Sequence, residues 1–202
     1  NGVKHYVPYA QHAAGIIVSA KISDDENVLV MIDPSQAGVT LDKLDTTTAE
    51  PQSKLTLANV MISSSQVLAV GEKANQAIQY GVNCLLTAYC NVQLGASEAA
   101  LRMTAKYTSE RKQFNTAIAS FQAVAQRAAD GYIDVECLRL CTQQAACLLS
   151  NKASDLESQR VINDAVTMAK IWAGDTGHRI SYTAQHLHGG TGVDREYPLW
   201  RF

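Results

Sequence analysis

The stretch QVLAVGEKANQAIQYGVNCLL, Gln66 to Leu86, changes its periodicity at Gly71. Before the glycine the chain is a succession of short apolar, β-branched runs broken by turn residues. After it no proline occurs from Glu72 to about Tyr107, and Ile78, Val82, Leu85, Leu86, Tyr89 and Leu94 recur at the spacing of a helix face. Residues 1–70 are therefore expected to form strands, and residues 71–202 long helices.

Upstream, AGIIVSAKI and NVLVMID are separated by the polar turn SDDEN (Ser23 to Asn27) and closed by DPSQAG (Asp33 to Gly38). In SKLTLANVMIS, Leu55, Leu57 and Val60 alternate toward one face. Turn signals about ten residues apart, with no helix between the runs, predict a small antiparallel sandwich or barrel. Downstream, a break near Asn115-Thr116 separates the first helical run from a second with Phe121, Val124, Ala128, Tyr132, Leu138, Cys141, Ala145 and Leu148 on one stripe. Ser154 or Asp155 can cap a third, carrying Val161, Ile162, Ala165, Met168, Ala169, Trp172, Thr176 and Ile180 and running to about Leu187. Three helices of about 30 residues are each about 45 Å long. They are expected to lie antiparallel in a four-helix-type bundle that also meets another subunit. The predicted class is α+β, a small β-domain followed by that bundle.

Composition narrows the rest. At 202 residues, 47% hydrophobic and 18% charged, the chain reads as globular, and a net charge of −2 lacks the basic footprint of a nucleic-acid binder. No apolar run approaches the roughly 18 to 20 residues of a membrane span. The chain opens on Asn1 with no leader ahead of it, which reads as a piece of a longer protein. The odd set Cys84, Cys90, Cys137, Cys141 and Cys147 sits in helical patterns, so the thiols are expected free, as small core residues in a reducing compartment. No metal is expected: Cys137-x3-Cys141 has no second pair, and His178, His186 and His188 lack a carboxylate or cysteine complement.

Two stretches carry candidate chemistry. In SERKQFNTAIASFQ (Ser109 to Gln122), Arg111 and Lys112 read as the last turn of a helix, where the dipole favours cations. Phe114 stands at the corner with Gln113 beside it, and Gln122 one turn into the next helix. Asn115 alone would serve as a left-handed helix cap. The functional reading is an anion clamp, with Arg111 as a fork for phosphate and an aromatic covering a flat ring. In QHLHGGTGVDREYP (Gln185 to Pro198), a helix C-cap needs one glycine, yet Gly189, Gly190 and Gly192 are present. Backbone free of Cβ atoms lets a pyrophosphate or flat cofactor come close.

Together these stretches resemble the acyl-CoA dehydrogenase family of flavoproteins. YTSERKQFNTAIASFQAVAQRAAD is similar to the family's Y-x-x-x-R-x-x-F-G-x-x-I-x-x-F-Q-x-x-x-x-x-x-A-D, and HGGTGVDREYPLWR to G-G-x-G-x-x-x-E-Y-P-x-x-R. NGVKHYVPYAQHAAGIIVSAKI and KLTLANVMISSSQVLAVG resemble the middle β-domain and the strand leading to the bundle. The resemblance covers essentially the whole chain and implies FAD as cofactor. It places Arg111, Gln113, Phe114 and Gln122 against the FAD of a neighbouring subunit. It places His186, His188, Gly189 and Gly190 near the pyrophosphate and adenosine part, and Tyr6 where an aromatic packs on the flavin. It also implies an acyl-CoA substrate, an acceptor such as electron-transfer flavoprotein, and a homo- or hetero-oligomer built through the bundle. The compartment it implies is the cytoplasm of a bacterium, or the mitochondrial matrix of a eukaryote.

Departures from the family pattern bear on catalysis. Asn115 replaces the motif glycine, His186 the glutamine before the paired glycines, and Pro8 a threonine that hydrogen-bonds flavin, which proline cannot do. The family's base is a glutamate beyond the E-Y-P motif, which would fall after Phe202, or one on the first bundle helix, where this chain has Leu85, with Leu86 where an arginine is frequent. No base can be named. The family's N-terminal domain and its T-E-P-x-x-G-S-D stretch are not in the sequence. The resemblance leaves three readings: an acyl-CoA dehydrogenase in its C-terminal portion; the FAD-holding, base-free subunit of a heteromeric enzyme of the kind used in actinobacterial steroid breakdown; and an oligomerisation module of the same fold.

Overall fold

Gly71 adopts φ +61°, and there the last strand hands over to the first long helix in the computed structural model, which describes residues 1–151 and 155–202. Its N–H donates to the Asn27 carbonyl at 2.8 Å, while its own carbonyl accepts from Ala74 at 3.0 Å. One glycine thus ends the sheet ladder and opens the helix. The chain divides into two compact units, 1–81 and 82–202.

The first unit holds two three-stranded antiparallel sheets. One orders β1 (Gly2–Pro8), β5 (Gln52–Leu57) and β4 (Val39–Leu44), and the other β2 (Ile16–Ser23), β3 (Glu26–Ile32) and β6 (Val67–Val70), in the sequences β1-β5-β4 and β2-β3-β6. Asp24 and Asp25 turn the β2–β3 hairpin, and its register places Ile16 opposite Ile32 and Val18 opposite Val30. All four are buried in one core with Val28, Ala10 and Leu55, against which Val39, Leu41 and Leu57 pack. The two sheets share this apolar filling as a small sandwich. Val60, expected in the alternation, lies past the end of β5. β4 escapes sequence reading because its six residues follow directly on a turn.

The second unit is built on α1 (Glu72–Glu110, which begins in the first unit), α2 (Gln122–Ser150) and α3 (Leu156–His188). At 39 residues α1 is about 58 Å long. It ends at Glu110, so Arg111 and Lys112 are not in a last helical turn, and Gln122 is the first residue of α2 rather than one turn in. Asp155 caps α3 by accepting the Ser158 N–H at 2.7 Å, while the other candidate cap, Ser154, lies outside the described residues.

The apolar stripes match the buried faces in part: Leu94, Leu138, Ala145, Ile162, Ala169, Thr176 and Ile180 are buried as expected. In α1 the buried edge is Asn83, Thr87, Cys90, Leu94, Ser97, Ala100, Thr104 and Thr108, in steps of three or four. α2 buries Gly131, Val135, Leu138, Thr142 and Ala145, and α3 Ile162, Val166, Ala169, Ala173, Thr176, Ile180 and Ala184. Val82, Leu85, Tyr89, Tyr132, Val161 and Met168 are exposed instead. α2 and α3 make the close crossing of this unit, while α1 meets them mainly through side chains, such as Gln93 against Gly177. A Cβ on Gly131 would stand 3.0 Å from Ile180 Cδ1, and one on Gly177 2.7 Å from the Gln93 amide. Asn83 donates to Asn163 at 2.7 Å across the bundle, and Arg179 grips Asp134 with two bonds of 2.7 and 2.8 Å. Of the five cysteines, all free, Cys90 is buried and Cys147 exposed, so Cys147 is not the core residue expected of it.

Two outcomes follow from this packing. Gly131→Val overfills a tight crossing and is expected to lower unfolding stability by about 1–3 kcal/mol. Gly174→Ala, where a Cβ meets open space within a helix, should leave stability unchanged or raise it by up to about 1 kcal/mol; denaturant midpoints of the two variants check both. Burial pushes the Cys90 thiol up, partly offset by Lys170. Maleimide at neutral pH should therefore label Cys147 and spare Cys90, as peptide mapping would read out.

Candidate functional site

The corner after α1 is a β-hairpin. The Arg111 N–H still reaches back to the Tyr107 carbonyl at 2.8 Å, and the Arg111 carbonyl then accepts from Ile118 at 2.9 Å. Between them β7 (Lys112–Gln113) pairs with β8 (Thr116–Ala117), leaving Phe114 and Asn115 as a two-residue turn. Their φ values of +53° and +63° are those of a type I′ turn. Asn115 is therefore left-handed as the second turn residue, not as a helix cap. Asparagine is the side chain that best stands in for glycine there, so the motif's missing glycine leaves the turn intact. Phe114 has no such excuse. A bulky aromatic at positive φ is strained, and this one is 89% exposed. Its ring meets Phe121 edge-on at 6.3 Å, next to Gln122. Arg111, Gln113 and Gln122 are exposed beside it, and among the described residues Arg111 has no carboxylate partner. The hairpin presents a free guanidinium, an aromatic and two amides on one short segment.

The glycine segment divides its roles. Gly189 ends α3 at φ +59°, ψ −135°, a combination suited to glycine, and its N–H donates back to Gln185 and His186. Cβ atoms on Gly189 or Gly190 would meet nothing within 4 Å. A Cβ on Gly192 would lie 3.0 Å from Gln185 Oε1, so the third glycine makes room for this chain's own glutamine rather than for a ligand. Gln185 is turned inward in this way, while His186 is exposed and stacks on Tyr182 with centroids 6.4 Å apart.

His188 does not face outward with its neighbours. It is 3% exposed, stacked on Tyr107 at 4.3 Å, with Nδ1 2.8 Å from the Ala184 carbonyl and Nε2 3.1 Å from the Tyr197 hydroxyl. Tyr107 in turn reaches the His188 carbonyl and Thr191 Oγ1, both at 3.4 Å. Sequence reasoning passed over Tyr107 and Tyr197 although both stand in the quoted motifs, as the first residue of Y-x-x-x-R and the tyrosine of E-Y-P. Tyr107 joins the start of the Arg111 hairpin through its carbonyl and the glycine segment through its hydroxyl, so two stretches about 80 residues apart in sequence meet at one residue.

In the first unit, β1 breaks register against β5 between Lys4 and Val7. Tyr6 sits in that break at φ +56° and is 68% exposed, a strained aromatic aimed outward. Tyr9, at φ +52°, is a second. Pro8 pairs with Gln52 at the end of the strand, where its lack of an N–H is tolerated. A separate surface cavity of about 510 Å³, lined by residues that include Tyr182, Gln185, Trp200 and Phe202, contains none of Arg111, Phe114, Gln122, Gly189 or Gly190.

Within the second unit a flat, anionic dinucleotide suits the open backbone at Gly189–Gly190, the unpaired cation at Arg111 and the strained, exposed Phe114. Among the described residues there is no group of three or more His, Cys, Asp or Glu placed to hold a metal, and no helix long and apolar enough to cross a membrane.

Comparisons with known proteins agree with the motifs. The family profile described as acyl-CoA dehydrogenase, C-terminal domain, matches residues 85–202. Acyl-CoA dehydrogenase FadE27 of Mycobacterium tuberculosis is 35% identical across all of this chain and 53% of its own length. Among solved structures, the ChsE4-ChsE5 complex of M. tuberculosis superposes with a TM-score of 0.86 at 32% identity, over 99% of this chain and 51% of that one. The Tcur3481-Tcur3483 steroid ACAD gives 0.84 at 36%, with the same coverage. The chain spans about half the length of the relatives it matches. Its two motifs, its strand-to-long-helix architecture and these matches together make the chain a member of the acyl-CoA dehydrogenase family, corresponding to the C-terminal part of its relatives.

Proposed function

We propose that this chain is the C-terminal portion of a FAD-dependent acyl-CoA dehydrogenase, and that its own residues hold and orient the cofactor. The observation that carries this reading is the Phe114–Asn115 turn, whose two positive φ values hold an aromatic in the open beside an unpaired Arg111. Bound flavin supplies the chemistry by accepting the β-hydrogen of an acyl-CoA thioester as hydride. Arg111 offers a planar fork to phosphate oxygens, and Phe114 covers a ring face. The Gly189–Gly190 backbone would admit the pyrophosphate and Gln122 and Gln113 would supply amide contacts, while Tyr6, in the first unit, would by itself offer a ring face to a flavin. The reduced flavin would be reoxidised by an acceptor of the electron-transfer flavoprotein type, and the compartment of this reading is the cytoplasm of a bacterium.

A second reading, favoured by Leu85, assigns the chain to a heteromeric enzyme as its FAD-holding partner. Leu85 stands at the family's alternative base position, is half exposed, and can neither take nor give a proton. Both the ChsE4-ChsE5 and Tcur3481-Tcur3483 structures pair two differently named chains. The exposed stripe of Val82, Leu85, Tyr89 and Val92 on α1 gives such a partner an apolar face to cover. In this reading the partner contributes the glutamate that removes the α-proton, and the substrate is a steroid side-chain thioester.

Arg111→Ala in the full-length protein, assembled with its partner, should weaken FAD binding about tenfold or more, since hydrogen bonds to charged groups contribute about 1.5–3 kcal/mol. Arg111→Lys keeps the charge but loses the fork and should recover only part of it. Flavin titration after cofactor stripping measures both. An Arg111→Ala protein that binds FAD as the parent does would sink the assignment of this hairpin.

A further inference from the structure

We infer that Tyr107, His188 and Tyr197 form a buried clamp that sets the Arg111 hairpin and the Gly189–Gly190 turn as one unit, which makes His188 a positioning residue rather than a cofactor contact. The inference rests on the cofactor reading above for its consequence, though not for its geometry.

The clamp is defined by its hydrogen-bond roles. The Ala184 carbonyl can only accept, so Nδ1 of His188 carries a proton and donates to it at 2.8 Å. Nε2 then accepts from the Tyr197 hydroxyl at 3.1 Å. Burial pushes that hydroxyl up, with smaller contributions from Tyr107 and Glu110, so it stays a donor at neutral pH. Both ring nitrogens of a 3% exposed histidine are thereby satisfied. The three rings pack on one another: Tyr107 on His188 at 4.3 Å, His188 on Tyr197 at 5.1 Å, and Tyr107 edge-on to Tyr197 at 6.3 Å.

What makes this more than core packing is where the backbone leads. Tyr107 accepts the Arg111 N–H through its own carbonyl, four residues before the exposed guanidinium. Through its hydroxyl it meets the His188 carbonyl and Thr191 Oγ1, which flank Gly189 and Gly190. Tyr107 thus anchors by its hydroxyl and ring the end of α1 from which the hairpin leaves, and losing that anchor would free this helix end from the glycine segment. His188 stacks on the Tyr107 ring and Tyr197 meets its edge, so both hold the ring in place. A ligand touching both segments needs them fixed relative to each other before it arrives, and preorganisation of this kind is read mainly in the rate at which the ligand leaves.

The experiment compares wild type, Tyr197→Phe and Tyr107→Phe in the full-length protein assembled with its partner; each substitution removes one hydroxyl and keeps the ring. His188→Asn, which keeps a donor near Ala184 but loses the stack, is the stronger companion. Hydrogen exchange is followed on residues 111–117 and 189–192, and FAD release is followed by the rise of free-flavin fluorescence. Tyr197→Phe should speed exchange in both segments, including the hairpin about 80 residues away in sequence, and should speed FAD release about fivefold. The melting temperature of the cofactor-free protein should stay within a few degrees of wild type. Faster exchange confined to 189–192, or FAD release at the wild-type rate in all three variants, overturns the clamp while leaving the cofactor reading intact. If wild type holds no flavin in any assembly, the cofactor reading fails instead. The exchange arm needs no flavin, and linked protection of the two segments still decides the clamp by itself.

Discussion

The buried edge of α1 carries hardly any bulk. Asn83, Thr87, Cys90, Ser97, Ala100, Thr104 and Thr108 recur along it with Leu94 as the one large side chain, and this edge lies against the closely crossed pair of α2 and α3. Small residues admit neighbours closely, so Gly177 accepts Gln93 and Gly131 accepts Ile180 and Leu101 where any Cβ would intrude. Asn83 with Asn163 fixes the register at one end, since a buried amide pair is satisfied in only one alignment. At the other end Tyr107 meets His188 and Tyr197. Because that edge takes the small residues, the large apolar ones are left on the outside, as a surface for something else to cover.

This explains what could and could not be read from the chain. The switch at Gly71, the β2–β3 hairpin and the three long helices all follow from local periodicity and turn chemistry, and they are present as expected. The buried face of α3 was legible at Ile162, Ala169, Thr176 and Ile180, whereas that of α1 was not, because the rule that apolar residues point inward assumes the neighbours are all in hand. Val82, Leu85 and Tyr89 obey the helical period but face away from the residues described. The candidate site was legible as motifs and illegible as geometry. Arg111, Phe114 and the paired glycines stand out in sequence, whereas the hairpin that carries Phe114 depends on two left-handed residues, one of them a phenylalanine no propensity would place there. His188 is followed directly by Gly189 and Gly190, yet its ring is buried while their backbone is exposed. Gly192 looked like part of the ligand cradle and proves to be the seat of Gln185.

In the second unit the unpaired Arg111, the strained Phe114 and the open Gly189–Gly190 backbone would suit an anionic, flat molecule, while Leu85 offers no group that could act as a base. Strain at Tyr6 and Phe114 is sustained because the surrounding ladders over-determine it: β1 resumes pairing after the break, and β7–β8 closes on both sides of the turn. A scaffold that stored strain for no ligand would gain nothing by placing aromatic rings in water at both sites.

The most direct test of the account is the visible absorption spectrum of the full-length protein, purified alone and again with its companion chain, before and after addition of an acyl-CoA. The account predicts a flavin spectrum that the thioester bleaches, present in the paired preparation at the least. A colourless protein in both preparations would contradict it and leave the chain as an oligomerisation module of the same fold.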